Sequence, residues 1–97
     1  MSQHDETVTV RVIYPSAAKP AERDFPLAAP VRDVKQFALV EFGLTEGPDP
    51  ENASNQVVFF LHHDRTKIEN LDQPISAFRQ GNQQQVTFRL IREVIVG

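Results

Sequence analysis

The side chains best suited to chemistry are two adjacent histidines followed by an aspartate, His62, His63 and Asp64. Imidazole and carboxylate groups are common zinc ligands, but neighbouring residues on an extended strand point to opposite faces, so the two histidines are poorly placed to share one ion. The third histidine, His4, is distant in the sequence, and the chain has no cysteine. We therefore predict a polar turn at these residues and no metal site.

No other group of residues predicts catalysis. The serines at positions 2, 16, 54 and 76 lie in polar or turn-like surroundings without a G-x-S-x-G motif, and the four glycines are scattered rather than gathered into a phosphate-binding loop. We predict that the chain is not an enzyme, has no catalytic residue and binds no cofactor.

The length and charge of the chain limit its partners. It has 97 residues, which suffice for one domain, a formal net charge of -3 and an isoelectric point of about 5.5. Without a basic stripe, nucleic acid is not expected as a partner. The longest apolar run, Val57–Leu61, is far shorter than the roughly 20 residues that span a bilayer, and the first residues lack an export signal. We expect no membrane partner and a cytoplasmic location.

The first half of the chain predicts two strands and a helix. Thr7–Tyr14 (TVTVRVIY) is rich in β-branched residues, and its three valines alternate with Thr9, Arg11 and Ile13, which is typical of a strand. Residues 21–27 predict a weaker strand that Pro26 limits to an edge position or a strand end. From Pro30 the apolar residues recur at steps of three and four, which predicts a helix that ends at Gly43. Its apolar stripe consists of Val31, Val34, Phe37, Ala38 and Phe42.

The second half predicts shorter elements. Residues 45–56 hold two prolines, a glycine and three acids, so we expect a solvated loop. Val57–Leu61 is typical of a strand, residues 67–69 of a short return strand, and residues 74–78 of one helical turn. Val86–Ile91 alternates strictly and predicts the last strand. Together these elements predict an α+β fold, a mixed sheet of four to five strands with one main helix packed across it, and parallel first and last strands at its centre.

This order of elements resembles the ubiquitin-like β-grasp fold over about ninety residues. Pro30–Lys35 (PVRDVK) is similar to the start of the ubiquitin helix, and Ile75–Phe78 (ISAF) is similar to the ubiquitin turn in which an aromatic residue follows a Leu-Ser pair. The prolines after Gly43 stand where ubiquitin also has prolines. The resemblance implies a ubiquitin-like domain at residues 7–92, preceded by a flexible segment at 1–6 and followed by a tail at 93–97.

The family most similar to this pattern is that of the bacterial ubiquitin-like modifiers. The resemblance implies that the carboxylate of Gly97 is adenylated by an ATP-dependent activating enzyme, passed to a conjugating enzyme and joined through an isopeptide bond to a target protein. It also implies a JAB-type metallopeptidase as a partner and, for some members, a role in antiphage defence. The tail EVIVG has one glycine where ubiquitin has two, and apolar residues where ubiquitin has arginines.

Two other functions fit the same resemblance. A non-conjugated binding module, similar to the small β-grasp proteins associated with secretion, needs no glycine pair, and its tail would simply complete the sheet. A sulfur carrier needs a flexible paired-glycine tail, and the apolar residues before Gly97 argue against it.

The resemblance also directs attention to one face of the sheet for partner binding. If Val57, Phe59 and Leu61 face the helix, then Val58 and Phe60 face outward beside Arg89 and Ile91; a shift of one residue would reverse this arrangement. We further expect Val94 and Val96 in the tail to contact a partner groove, and the chain to be a monomer.

Overall fold

A computed structural model of the chain describes residues 6–97. The elements in chain order are β1 (Thr7–Ile13), β2 (Ala21–Pro26), α1 (Val31–Phe42), β3 (Gly47–Asp49), β4 (Asn52–His63), β5 (Thr66–Lys67), a 3-10 turn (Ile75–Phe78) and β6 (Gln85–Ile95). They form one mixed sheet with the strand order β2-β1-β6-β4-β3, and β5 pairs with β4. Strands β1 and β6 are parallel, as predicted, and every other pair is antiparallel.

The core lies between one face of the sheet, here called the inner face, and helix α1. Alternate residues of the long strands point to this face and are buried, as the sequence alternation predicts. The helix follows Pro30 and ends at Gly43, whose φ of 68° is a left-handed conformation that glycine adopts readily. The core cluster contains Val8, Val10, Val12, Phe25, Val31, Val34, Ala38, Val57, Phe59, Leu61, Ile68, Ile75, Val86, Phe88 and Leu90. The α+β fold with one helix across a mixed sheet is confirmed.

The prediction of a loop over residues 45–56 is wrong. This segment contains β3 and the first five residues of β4, which brings the sheet to six strands instead of four to five. Asp49 accepts a hydrogen bond from the N–H of Glu51 and so stabilises the turn between the two strands. Composition favoured a loop, but pairing with neighbouring strands overrides local propensity here.

The sheet begins at Thr7, where the domain is predicted to begin, and its last strand extends beyond the predicted Ile91. Residues 1–5 of the expected flexible segment 1–6 lie outside the described residues, and the carboxylate of Glu6 lies 2.7 Å from Arg79 Nη1. At the other end, β6 continues to Ile95 because Gln56 of the lengthened β4 pairs with it. Residues 93–95 are therefore part of the sheet rather than a separate tail. Within residues 6–97, no helix is long and apolar enough to cross a membrane.

Candidate protein-binding surface

The sheet face opposite α1, here called the outer face, carries the residues expected to bind partners. Val57, Phe59 and Leu61 are at most 5% exposed on the inner face, while Val58 and Phe60 are half-buried on the outer face. Register then places Phe60 opposite Ile91, and Arg89 opposite His62. The structure therefore brings Val58, Phe60, Arg89 and Ile91 together, and we call these four residues the outer patch.

A lysine that the sequence did not single out covers part of the outer patch. Lys67 follows the β4–β5 turn, and its Nζ lies 4.1 Å from the centroid of the Phe60 ring, a cation–π distance. The same Nζ lies 2.9 Å from Oε2 of Glu93, which is opposite Val58 on β6. Lys67 thus extends across Phe60 to the neighbouring strand. Only the hairpin register reveals this contact, because residues 60, 67 and 93 are far apart in the sequence.

The charges around the outer patch are unequally neutralised. Arg11 of β1 lies on the same face, and its Nε is 3.6 Å from Oε2 of Glu22. Arg89 forms no ion pair with any other residue in the described range 6–97. The outer patch therefore combines apolar groups with an arginine whose charge is available to a partner.

The two histidines are the last residues of β4 and do not form the predicted turn. The observed turn consists of Asp64 and Arg65, both of which have a positive φ. His63 packs on the inner side, with ring centroids 5.2 Å from Phe78 and 5.8 Å from Phe88. His62 lies on the outer face, and its buried Nε2 has no hydrogen-bond partner among residues 6–97. The side chains separate because strand neighbours alternate, and no group of three metal-ligating side chains occurs within residues 6–97.

The other three predicted site residues are not part of the outer patch. Val94 is opposite Val57 and so belongs to the inner side of the sheet, where it is 39% exposed. Val96 follows the end of β6 and is 78% exposed. The N–H of Gly97 donates a hydrogen bond to Oδ1 of Asn55 at a distance of 3.3 Å. The last residues therefore run alongside β4, and the structure divides the predicted binding residues between two places.

A second concave surface lies between β2 and α1 and encloses about 710 Å³. The rings of Phe25 and Phe37 form its floor and lie edge to face at 5.7 Å. The guanidinium group of Arg23 lies 5.4 Å and 5.8 Å from the two ring centroids, so the chain's own arginine covers the apolar floor.

Comparison with known proteins supports the fold. No family model matches the chain, and no curated protein matches it. A solved structure from work on molecular mimicry of SUMO that promotes DNA repair is similar, with a TM-score of 0.61, 8% sequence identity, and coverage of 92% of this chain and 95% of that chain. Together with the sheet order and the one α-helix within residues 6–97, this similarity identifies the fold of the chain as ubiquitin-like β-grasp. At this identity the similarity concerns the fold alone.

Proposed function

We propose that this chain is a ubiquitin-like protein that acts by binding partner proteins through the outer patch. The observation that carries the proposal is a helix-free sheet face on which Phe60 and Ile91 lie beside an arginine without an ion-pair partner among residues 6–97. Apolar and aromatic groups together with arginine are typical of the centre of protein interfaces. In this proposal any catalytic step is carried out by the bound proteins and not by this chain.

The course of β6 supports a non-covalent mode of action. The strand remains paired with β4 as far as Ile95, and the N–H of Gly97 donates to Asn55. A Cβ built on Gly97 would lie 2.1 Å from the carbonyl oxygen of Ser54, so close packing against β4 gives a structural reason for glycine at this position. Glycine here is thus compatible with a binding module that is never conjugated.

The test compares two charge substitutions at exposed apolar positions. Tagged chains with Phe60→Asp or Val40→Asp are expressed in the native host, and co-purified proteins are quantified by mass spectrometry. Val40 lies on α1, is 80% exposed and serves as the control. We expect partners to be retained by the original chain and by Val40→Asp and lost from Phe60→Asp, while thermal unfolding shows that both variants remain folded. Retention of every partner by folded Phe60→Asp would refute the proposal.

Covalent attachment is the second candidate, and the exposure of Val94, Ile95 and Val96 favours it because an enzyme can reach these residues. In this case an ATP-dependent activating enzyme and a conjugating enzyme would join Gly97 to an amine of a target protein. A JAB-type metallopeptidase would remove the chain from that target. The outer patch would still bind partners. The bacterial setting and a role in antiphage defence belong to this candidate.

A denaturing gel separates the two candidates. The tagged chain is expressed with its neighbouring genes, beside a variant that lacks Gly97. Higher-mass species that disappear in the deletion variant would establish a modifier, whereas one unmodified band in both samples would support the binding module.

A further inference from the structure

The last strand of the sheet has an unpaired edge. Strand β1 pairs with β6 only as far as Ile13 and Arg89, whereas β4 pairs with β6 as far as Ile95. Beyond Arg89, no strand within residues 6–97 covers the side of β6 that β1 occupies earlier. Open edges of this kind are places where a further strand can add.

The hydrogen-bonding groups on this edge can be identified from the register. The N–H of Thr9 donates to the carbonyl of Gln84, so the even-numbered residues of this segment direct their backbone groups towards β1. The backbone N–H and C=O groups of Arg92, Val94 and Val96 therefore point to the open side. The odd-numbered residues direct theirs to β4, as the pair formed by Ile95 and Gln56 requires.

The side chains at this edge are apolar and exposed. Three of the four large hydrophobic residues that are exposed in the described chain lie here, with exposed fractions of 39% for Val94, 52% for Ile95 and 78% for Val96. The nearest carboxylate, Glu93, is already paired with Lys67. Residues 94–96 therefore carry no charged side chain of the kind that commonly prevents strands from joining, and the nearest charged side chain without an ion pair within residues 6–97 is that of Arg92.

We infer that the partner of this edge is a second copy of the same chain, added antiparallel about a two-fold axis through Ile95. In this register Ile95 lies opposite Ile95 of the second copy and Val94 lies opposite Val96, so only apolar side chains meet at these positions, while Glu93 lies opposite Gly97. Both valines direct their backbone groups to the open side, as a hydrogen-bonded pair requires. A register centred on Val94 instead places Glu93 opposite Ile95.

The shape of the molecule accommodates this dimer. Its extents are 54 × 27 × 24 Å, and the paired ends of β4 and β6 continue beyond the part of the sheet that β1 covers. In an antiparallel arrangement the two bodies lie at opposite ends of the joined strands. The axis is perpendicular to the sheet, so the outer faces of both copies are on the same side and the dimer presents two outer patches to one partner assembly.

The test measures self-association of the purified chain by sedimentation velocity from micromolar to millimolar concentration. We expect a monomer–dimer equilibrium that Ile95→Lys weakens about tenfold or more, because two lysines then face each other. Val40→Lys, at an exposed valine on the helix, should leave the equilibrium unchanged. Mixing Ile95→Lys with Ile95→Glu should restore association as a heterodimer, which requires these residues to be opposite each other.

Two results would overturn the inference. One is a chain that remains monomeric at millimolar concentration, and the other is an Ile95→Lys variant that associates as strongly as the original chain. A second variant, Val96→Pro, removes an N–H from the open side at a residue beyond the end of β6 and should also weaken the dimer. The self-association measurements do not depend on the outer patch, so this test is independent of the proposed function.

Discussion

At the scale of single residues, Phe59 and Phe60 are neighbours with opposite roles. Phe59 is 2% exposed in the core, whereas Phe60 lies half-buried on the outer face beneath Lys67. We expect Phe59→Ala to lower the free energy of unfolding by about 3–5 kcal/mol, as for other large-to-small core substitutions. Phe60→Ala should cost about 1 kcal/mol, in line with loss of a partly exposed cation–π contact. Urea unfolding measures both, and a reversed ranking would contradict the register of β4.

His62 is a second residue with a distinct expectation. Its buried Nε2 has no hydrogen-bond partner within residues 6–97, and an unsatisfied polar atom lowers stability. We expect His62→Leu to leave the free energy of unfolding unchanged or raise it by up to about 1 kcal/mol. The control is His63→Leu, which loses the ring contacts with Phe78 and Phe88 and should be destabilised by about 1 kcal/mol. Greater destabilisation of His62→Leu than of the control would show that the His62 nitrogen is satisfied in solution.

At the scale of elements, Glu46 links the helix to the sheet. Its Oε2 accepts a hydrogen bond from the N–H of Phe59 at 2.8 Å and lies 2.9 Å from Nζ of Lys35 on α1. Strand β3 pairs with β4 only up to Val57, so the carboxylate satisfies a backbone donor that β3 does not reach.

Removal of this carboxylate should therefore destabilise the chain. We expect Glu46→Ala to lower the free energy of unfolding by about 1–3 kcal/mol, the cost of an unsatisfied backbone donor. Glu46→Gln keeps an acceptor oxygen and should cost less. Thermal or urea unfolding of both variants provides the measurement, and equal stability of Glu46→Ala and the original chain would show that water replaces the carboxylate without loss.

The elements differ in how far their sequences predict them. Strand β1 and helix α1 are predictable because their apolar residues follow a clear period, and Pro30 and Gly43 mark the helix ends. Strand β3 (GPD) is not predictable, since its three residues are typical of turns and only pairing with β4 makes them a strand. The length of β6 is not predictable for a related reason. Its last residues pair with the first part of β4, which the sequence predicts as a loop.

At the scale of the whole molecule, the candidate site shows the same division. Period two alone predicts that Val58 and Phe60 share a face, and the similarity to ubiquitin supplies the neighbours Arg89 and Ile91. The contributions of Lys67 and Glu93 depend on the register of three strands and could not be deduced from local sequence. The separation of Val94 from the outer patch follows from the same register, which places it opposite Val57.

The most direct test of binding through the outer face is to determine which surface contacts partner proteins in cells. A photoreactive amino acid is introduced at Val58, which is half-buried on the outer face, or at Val40, which is 80% exposed on the helix. We expect irradiation to join partner proteins to the chain labelled at position 58, and we expect these products to be absent or much weaker from the chain labelled at position 40. Partner proteins joined to position 40 and not to position 58 would contradict the claim that the outer face is the binding surface.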